Sequence, residues 1–100
     1  DQRNINYPPK SMPVEMTKYC NLDGNKTIHL KVAGENQGTV HLFLKEGQFD
    51  LSESNRDGYV NEGMPWKLIT PREDLSVLVL YTKDMNPANV DRLIQTMFYT

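Results

Sequence analysis

Ile28, Leu30 and Val32 alternate with Thr27, His29 and Lys31. After Gly34-Glu35-Asn36-Gln37-Gly38 the pattern resumes, with Val40, Leu42 and Leu44 alternating with His41, Phe43 and Lys45. A period of two on both sides of a glycine-bounded loop predicts two strands, each with one buried face. Upstream, Val14 to Cys20 alternates more loosely, with Val14, Met16 and Cys20 on one side. A helix through Met12, Met16, Tyr19 and Cys20 competes, but the short span between Pro13 and the turn Asn21–Lys26 favours a strand. In that turn Asp23-Gly24 and the flanking Asn residues tolerate positive φ at low cost. A meander over 14–20, 27–33 and 39–45 is expected.

Pro8, Pro9 and Pro13 remove backbone donors and favour extended chain, so residues 1–13 read as a linker or arm and 14–100 as one domain. Residues 46–64 are broken by Gly47, Gly58 and Gly63, with one or two short edge strands expected where Phe49 and Leu51, or Tyr59 and Asn61, alternate. Trp66, Leu68 and Ile69 sit between Pro65 and Pro71. Leu75 to Thr82 is the best strand, and Val77-Leu78-Val79-Leu80 is apolar on both faces, as in a strand covered on both sides. Asn86 followed by Pro87 is a helix start. Val90, Leu93, Ile94 and Met97 then fall at i, i+3, i+4 and i+7, one face of a helix from Pro87 to Phe98. The expected fold is α+β: a mostly antiparallel sheet of four to six strands with the C-terminal helix packed on one face.

One hundred residues, 38% hydrophobic and 24% charged, suit a single domain, which at this size buries about 65% of its unfolded surface. Net charge is −2 and the basic residues are scattered along the chain. That pattern argues against nucleic acid, whose binders carry a basic stripe. No apolar run approaches the roughly 20 residues of a membrane span. A single cysteine, Cys20, precludes an internal disulfide. The chain opens on Asp1-Gln2-Arg3-Asn4 and reads as part of a longer protein or a processed form.

Cys20, His29 and His41 are the one set of residues with metal-binding or nucleophilic chemistry. Strand register places Cys20 in the core and both imidazoles on the other face, which separates the three. The histidines then become diagonal neighbours about 7 Å apart on the outer face, able to titrate near pH 6.5 and sense acidity but read first as a solvated pair. Glu53 to Met64 aligns partly with a calcium-binding loop through Asn55, Asp57 and Gly58. It lacks the first-position Asp, and the twelfth-position Glu is Met64; a polar hairpin accounts for the same residues. Asn25-Lys26-Thr27 fits a glycosylation acceptor and equally fits the turn. Met64-Pro65-Trp66 sets a large aromatic beside an irregular loop, read as a core lid with an interface as the alternative. Glu15, Glu35 and Glu46 lie near different strand ends. No enzyme, cofactor or metal set is expected. The candidate interaction surface comprises Met64, Pro65, Trp66, His29, His41 and Phe43, with another protein as the partner.

The string Cys20-x₃-Gly24-x₄-His29-Leu30, then Gly34-x₃-Gly38-x-Val40, then Phe49 and a glycine-containing hairpin, resembles a known family over residues 14–80. It looks like the C-terminal extracytoplasmic domain of uncharacterised bacterial single-pass membrane proteins similar to anti-sigma factors. The resemblance implies a periplasmic or other extracytoplasmic location, with membrane attachment through a segment absent from this chain. It also implies a sensory or interaction role, and it assigns no catalytic residue. The helix Pro87 to Phe98 is not part of that pattern. A soluble protein-binding domain using the 46–66 loop and Trp66 is the alternative.

Overall fold

A computed structural model describes residues 5–22, 25–48 and 63–99. Among these residues are five strands and one helix: β1 (Val14–Leu22), β2 (Asn25–Ala33), β3 (Thr39–Glu46), β4 (Trp66–Arg72), β5 (Leu75–Tyr81) and α1 (Pro87–Phe98). The strands form one antiparallel sheet in the order β1-β2-β3-β5-β4. The fold is α+β. The meander of β1, β2 and β3 follows the alternation in the sequence, whereas β4 lies where the two prolines gave no strand pattern. Pro71 is tolerated because β4 is an edge strand whose register slips between Ile69 and Arg72. The short edge strands expected within 49–62 lie outside the described residues.

Register divides the sheet into two faces. Val32, Val40, Leu42, Leu44, Val77 and Val79 share the inner face, and Val90, Leu93, Ile94, Met97 and Phe98 of α1 join them in one buried cluster. Burying these aliphatic groups is the main driving force for folding, at roughly 1.5–3 kcal/mol for each large side chain. Leu78 and Leu80 point to the outer face and are also buried, so β5 is covered on both sides. The helix starts where the sequence places it: Asn86 is extended (φ −74°, ψ 119°), its Oδ1 accepts from the Ala88 N–H at 2.9 Å, and Pro87 occupies the first turn.

One local expectation is narrowed and one corrected. First, of the linker or arm expected over residues 1–13, the described residues 5–13 form an arm docked on the domain. Met12 is fully buried in the core cluster, the Asn6 N–H donates to the Met97 carbonyl at 2.9 Å, and the Ala33 N–H donates to the Pro13 carbonyl at 2.9 Å. Prolines 8, 9 and 13 do not detach this segment, which turns over Lys10 and Ser11 as the Met12 N–H donates to the Pro9 carbonyl at 2.9 Å. Second, β1 has a bulge between Val14 and Met16. Val14 stands opposite Val32 on the inner face, whereas Met16 stands opposite Lys31 and Cys20 opposite Thr27 on the outer one. One extra residue reverses the alternation, so the three residues grouped by parity do not share a side.

Candidate interaction face

The outer face is assembled by pairing across strands. Lys18 of β1 stands opposite His29 of β2, and His29 opposite Phe43 of β3; one step along, Lys31 stands opposite His41. His29 lies flat against Phe43, with ring centroids 4.3 Å apart and planes 15° from parallel. The two imidazoles are diagonal neighbours, as the strand pattern indicates, and they touch: His29 Nε2 and His41 Nδ1 are 3.0 Å apart. One of these nitrogens carries a proton and donates it to the other's lone pair, which requires that both rings not be protonated at once.

Burial lowers both histidines below their ordinary value of 6.5. For His29 the positive charges of His41, Lys18 and Lys31 add to the effect, and for His41 that of Lys31 does. Both are therefore neutral at pH 7, which corrects the expectation of a pair titrating near 6.5. Because the unfolded chain takes up protons first, it binds more of them between 6.5 and the folded values, so stability falls as pH drops through that window and is level above it. These are the chain's two histidines, which makes the origin easy to isolate. Denaturation followed from pH 7.5 down to roughly pH 5.5 is expected to show this loss, and the His29→Gln/His41→Gln double variant to flatten it. An equal slope in the variant would assign the loss elsewhere.

Lys45 also points to this face, opposite Ser76. Among the described residues, Lys18, Lys31, Lys45 and the two histidines occupy outer-face strand positions; no carboxylate is paired there, and Glu15 sits in the β1 bulge itself. Three lysines that look scattered along the chain are thus gathered on one side. The signal was available, since residues 29, 31, 41 and 45 share parity within their strands. On β1, Lys18 was hidden by the bulge.

Of the remaining surface residues, Trp66 is on the same face, in line with Leu80 and His41, two strands or roughly 10 Å from β3. It is 38% exposed, and its outer-face neighbour on β4, Leu68, is 36% exposed. This corrects the reading of Trp66 as a core lid. Met64 and Pro65 are half-buried and precede β4, and the Pro65 carbonyl accepts from the Tyr81 N–H. They anchor the strand and are not brought into the histidine cluster. Most of the 46–66 loop and of the calcium-loop alignment lies outside the described residues.

Cys20 is half-buried on the outer face, diagonal to His29 across β1 and β2, and not in the core. The bulge alone moves it there. Among the described residues, no group of three His, Cys, Asp or Glu side chains is placed to hold a metal ion. No described helix is long and apolar enough to cross a membrane. The chain matches no protein-family model, no curated protein and no solved structure with which it was compared.

Proposed function

We propose that this chain is a non-enzymatic interaction domain that binds an acidic segment of a partner protein through its outer face. The observation that carries this reading is the charge asymmetry: among the described residues, three lysines and two histidines share the face of Phe43, and no carboxylate is paired into it by the strand register. Fixed positive charges steer and select an acidic partner, while an aromatic centre supplies buried area. The setting, as the extracytoplasmic part of a membrane-anchored anti-sigma-like regulator, is supported by the spacing of Cys20, Gly24, His29, Gly34 and Gly38. In that setting the neutral histidine pair gives the domain a sensory element, because acidification charges the contact face.

A second reading, a soluble binding domain centred on Trp66, is favoured by the exposed Trp66–Leu68 pair. One titration separates the two. A glutamate-rich peptide is added to the protein at low salt and followed by amide NMR shifts and by the emission of Trp66, the chain's single tryptophan. The first reading expects shifts around His29, His41 and Phe43, tighter binding at lower pH, and binding about tenfold weaker in Lys18→Glu/Lys31→Glu. Shifts centred on Trp66 and indifferent to the lysines favour the second reading. Absence of binding overturns the acidic-partner proposal. Recovery of the full-length product with the cytosol and not with membranes overturns the extracytoplasmic setting.

A further inference from the structure

The inner face is not uniformly covered. Val32, Val40, Val77 and Val79 are fully buried beneath α1 and the arm, but Ile28 and Leu75, at the other end of the strands, are half-buried. A cavity of about 340 Å³ opens at that end. Its floor follows from register, with Tyr19 opposite Ile28 and Ile28 opposite Leu44 across three strands, and Leu75 one row further on. Ile5 lines it from the arm, held in place by the bond from the Asn6 N–H to the end of α1.

The size suits a small molecule. It is roughly twice the 150 Å³ or so of a dry cavity that accepts benzene, and it lies at the lower end of the range of ligand pockets. The mouth is apolar as well: Tyr19 is 82% exposed and Ile5 36%. Exposed apolar groups contiguous with an apolar cavity mark a binding site more than a packing gap. The polar rim is balanced. Lys26 and Arg72 are matched by Glu46 and Asp74. Lys45 also borders the cavity, but its side chain points to the outer face, where Nζ donates to the Gln48 carbonyl. Among the described residues, the rim thus presents hydrogen-bonding groups without a net charge to attract an ion.

We infer that this cavity binds a neutral, mostly apolar small molecule with one polar end, of the size of a medium-chain alcohol. The site is separate from the outer face, since its floor of Tyr19, Ile28, Leu44 and Leu75 lies on the opposite side of the sheet.

The test is a titration of isotope-labelled protein with 1-octanol, octanoate and octylammonium, read by amide NMR shifts. Octanol is expected to give saturable shifts centred on Tyr19, Ile28, Leu44 and Leu75, with both ions binding about tenfold more weakly. Leu75→Trp, which fills the cavity, is expected to abolish the octanol shifts while leaving the remaining spectrum dispersed. If that variant does not fold, the map on the parent protein decides. Absence of saturation up to the solubility limit of octanol, or shifts centred elsewhere, overturns the site. Equal affinity for the charged probes overturns the neutral ligand class.

Discussion

Met12→Ala is expected to destabilise the domain by about 2–5 kcal/mol, the cost of emptying a filled core position. Met12 lies sixteen positions before Ile28, where the clear alternation of the strands begins, yet its side chain is fully buried with Val32, Val40 and Leu93. Besides this anchor, the bonds that hold the arm include the Asn6 N–H to the Met97 carbonyl, the Asn6 side-chain amide to the Thr96 carbonyl at 3.2 Å, the Ala33 N–H to the Pro13 carbonyl, and the Arg92 guanidinium to the Ser11 hydroxyl at 3.2 Å. Losing the thioether therefore weakens the attachment as well as leaving a void. For a domain of 100 residues, each kcal/mol lowers Tm by roughly 4–8 °C. Tyr7→Ala in the same arm is the control; Tyr7 is 91% exposed, and its removal is expected to change stability by no more than about 0.5 kcal/mol. Thermal denaturation of the two variants checks the point, and equal small effects would mean that the arm is not part of the core in solution.

Gly34→Ala is the second large effect, expected to cost roughly 3 kcal/mol. A Cβ at Gly34 would sit 2.1 Å from the Gln37 carbonyl oxygen and 2.4 Å from Met85 Sδ. The methionine can move, but the backbone carbonyl cannot without opening the β2–β3 turn, which is closed by the Gly34 N–H donating to the Gly38 carbonyl at 2.8 Å. Gly38 differs. Its φ is +88°, and the atoms nearest to an added Cβ are Met85 Sδ and Cγ at 2.6 and 2.8 Å. Met85→Ala is therefore expected to relieve part of the cost of Gly38→Ala but little of that of Gly34→Ala, a difference readable in a double-mutant cycle by chemical denaturation. Gly47→Ala provides the baseline: φ is +84° with nothing within 4 Å, so only the backbone cost of about 1–2 kcal/mol is expected. Full relief of Gly34→Ala by Met85→Ala would show that the side chain, and not the carbonyl, sets the limit.

These two positions show where reading from sequence stops. Gly34 looks like any loop glycine, and the need for it comes from Met85, 51 positions later, folding back over the turn. Met12 looks like part of a proline-rich tail, and its burial depends on the space left between the end of β2 and α1. In contrast, the start of α1 at Asn86-Pro87 and the burial of both faces of β5 were legible, because a cap and an apolar run are local. The candidate face was half legible. Parity places His29, His41 and Phe43 together, but along the chain the lysines beside them look scattered, and Trp66 next to Pro65 looks like a lid. Its exposure follows from the place of β4 at the sheet edge, which no local pattern reports.

What the chain's own pattern determined is the elements β1, β2, β3, β5 and α1 and the division of β2, β3 and β5 into faces, because a period of two or of 3.6 is fixed by backbone geometry within a few residues. Strand order, with β5 inserted between β3 and β4, was decided by tertiary structure alone. So were the bulge that turns Lys18 and Cys20 to the outer face, the docking of Met12 and the cavity beyond the end of α1. Each of these depends on how separate surfaces fill one another's gaps at close-packed density, and complementarity of that kind is a property of the assembled shape, with no counterpart in the spacing of residues along the chain.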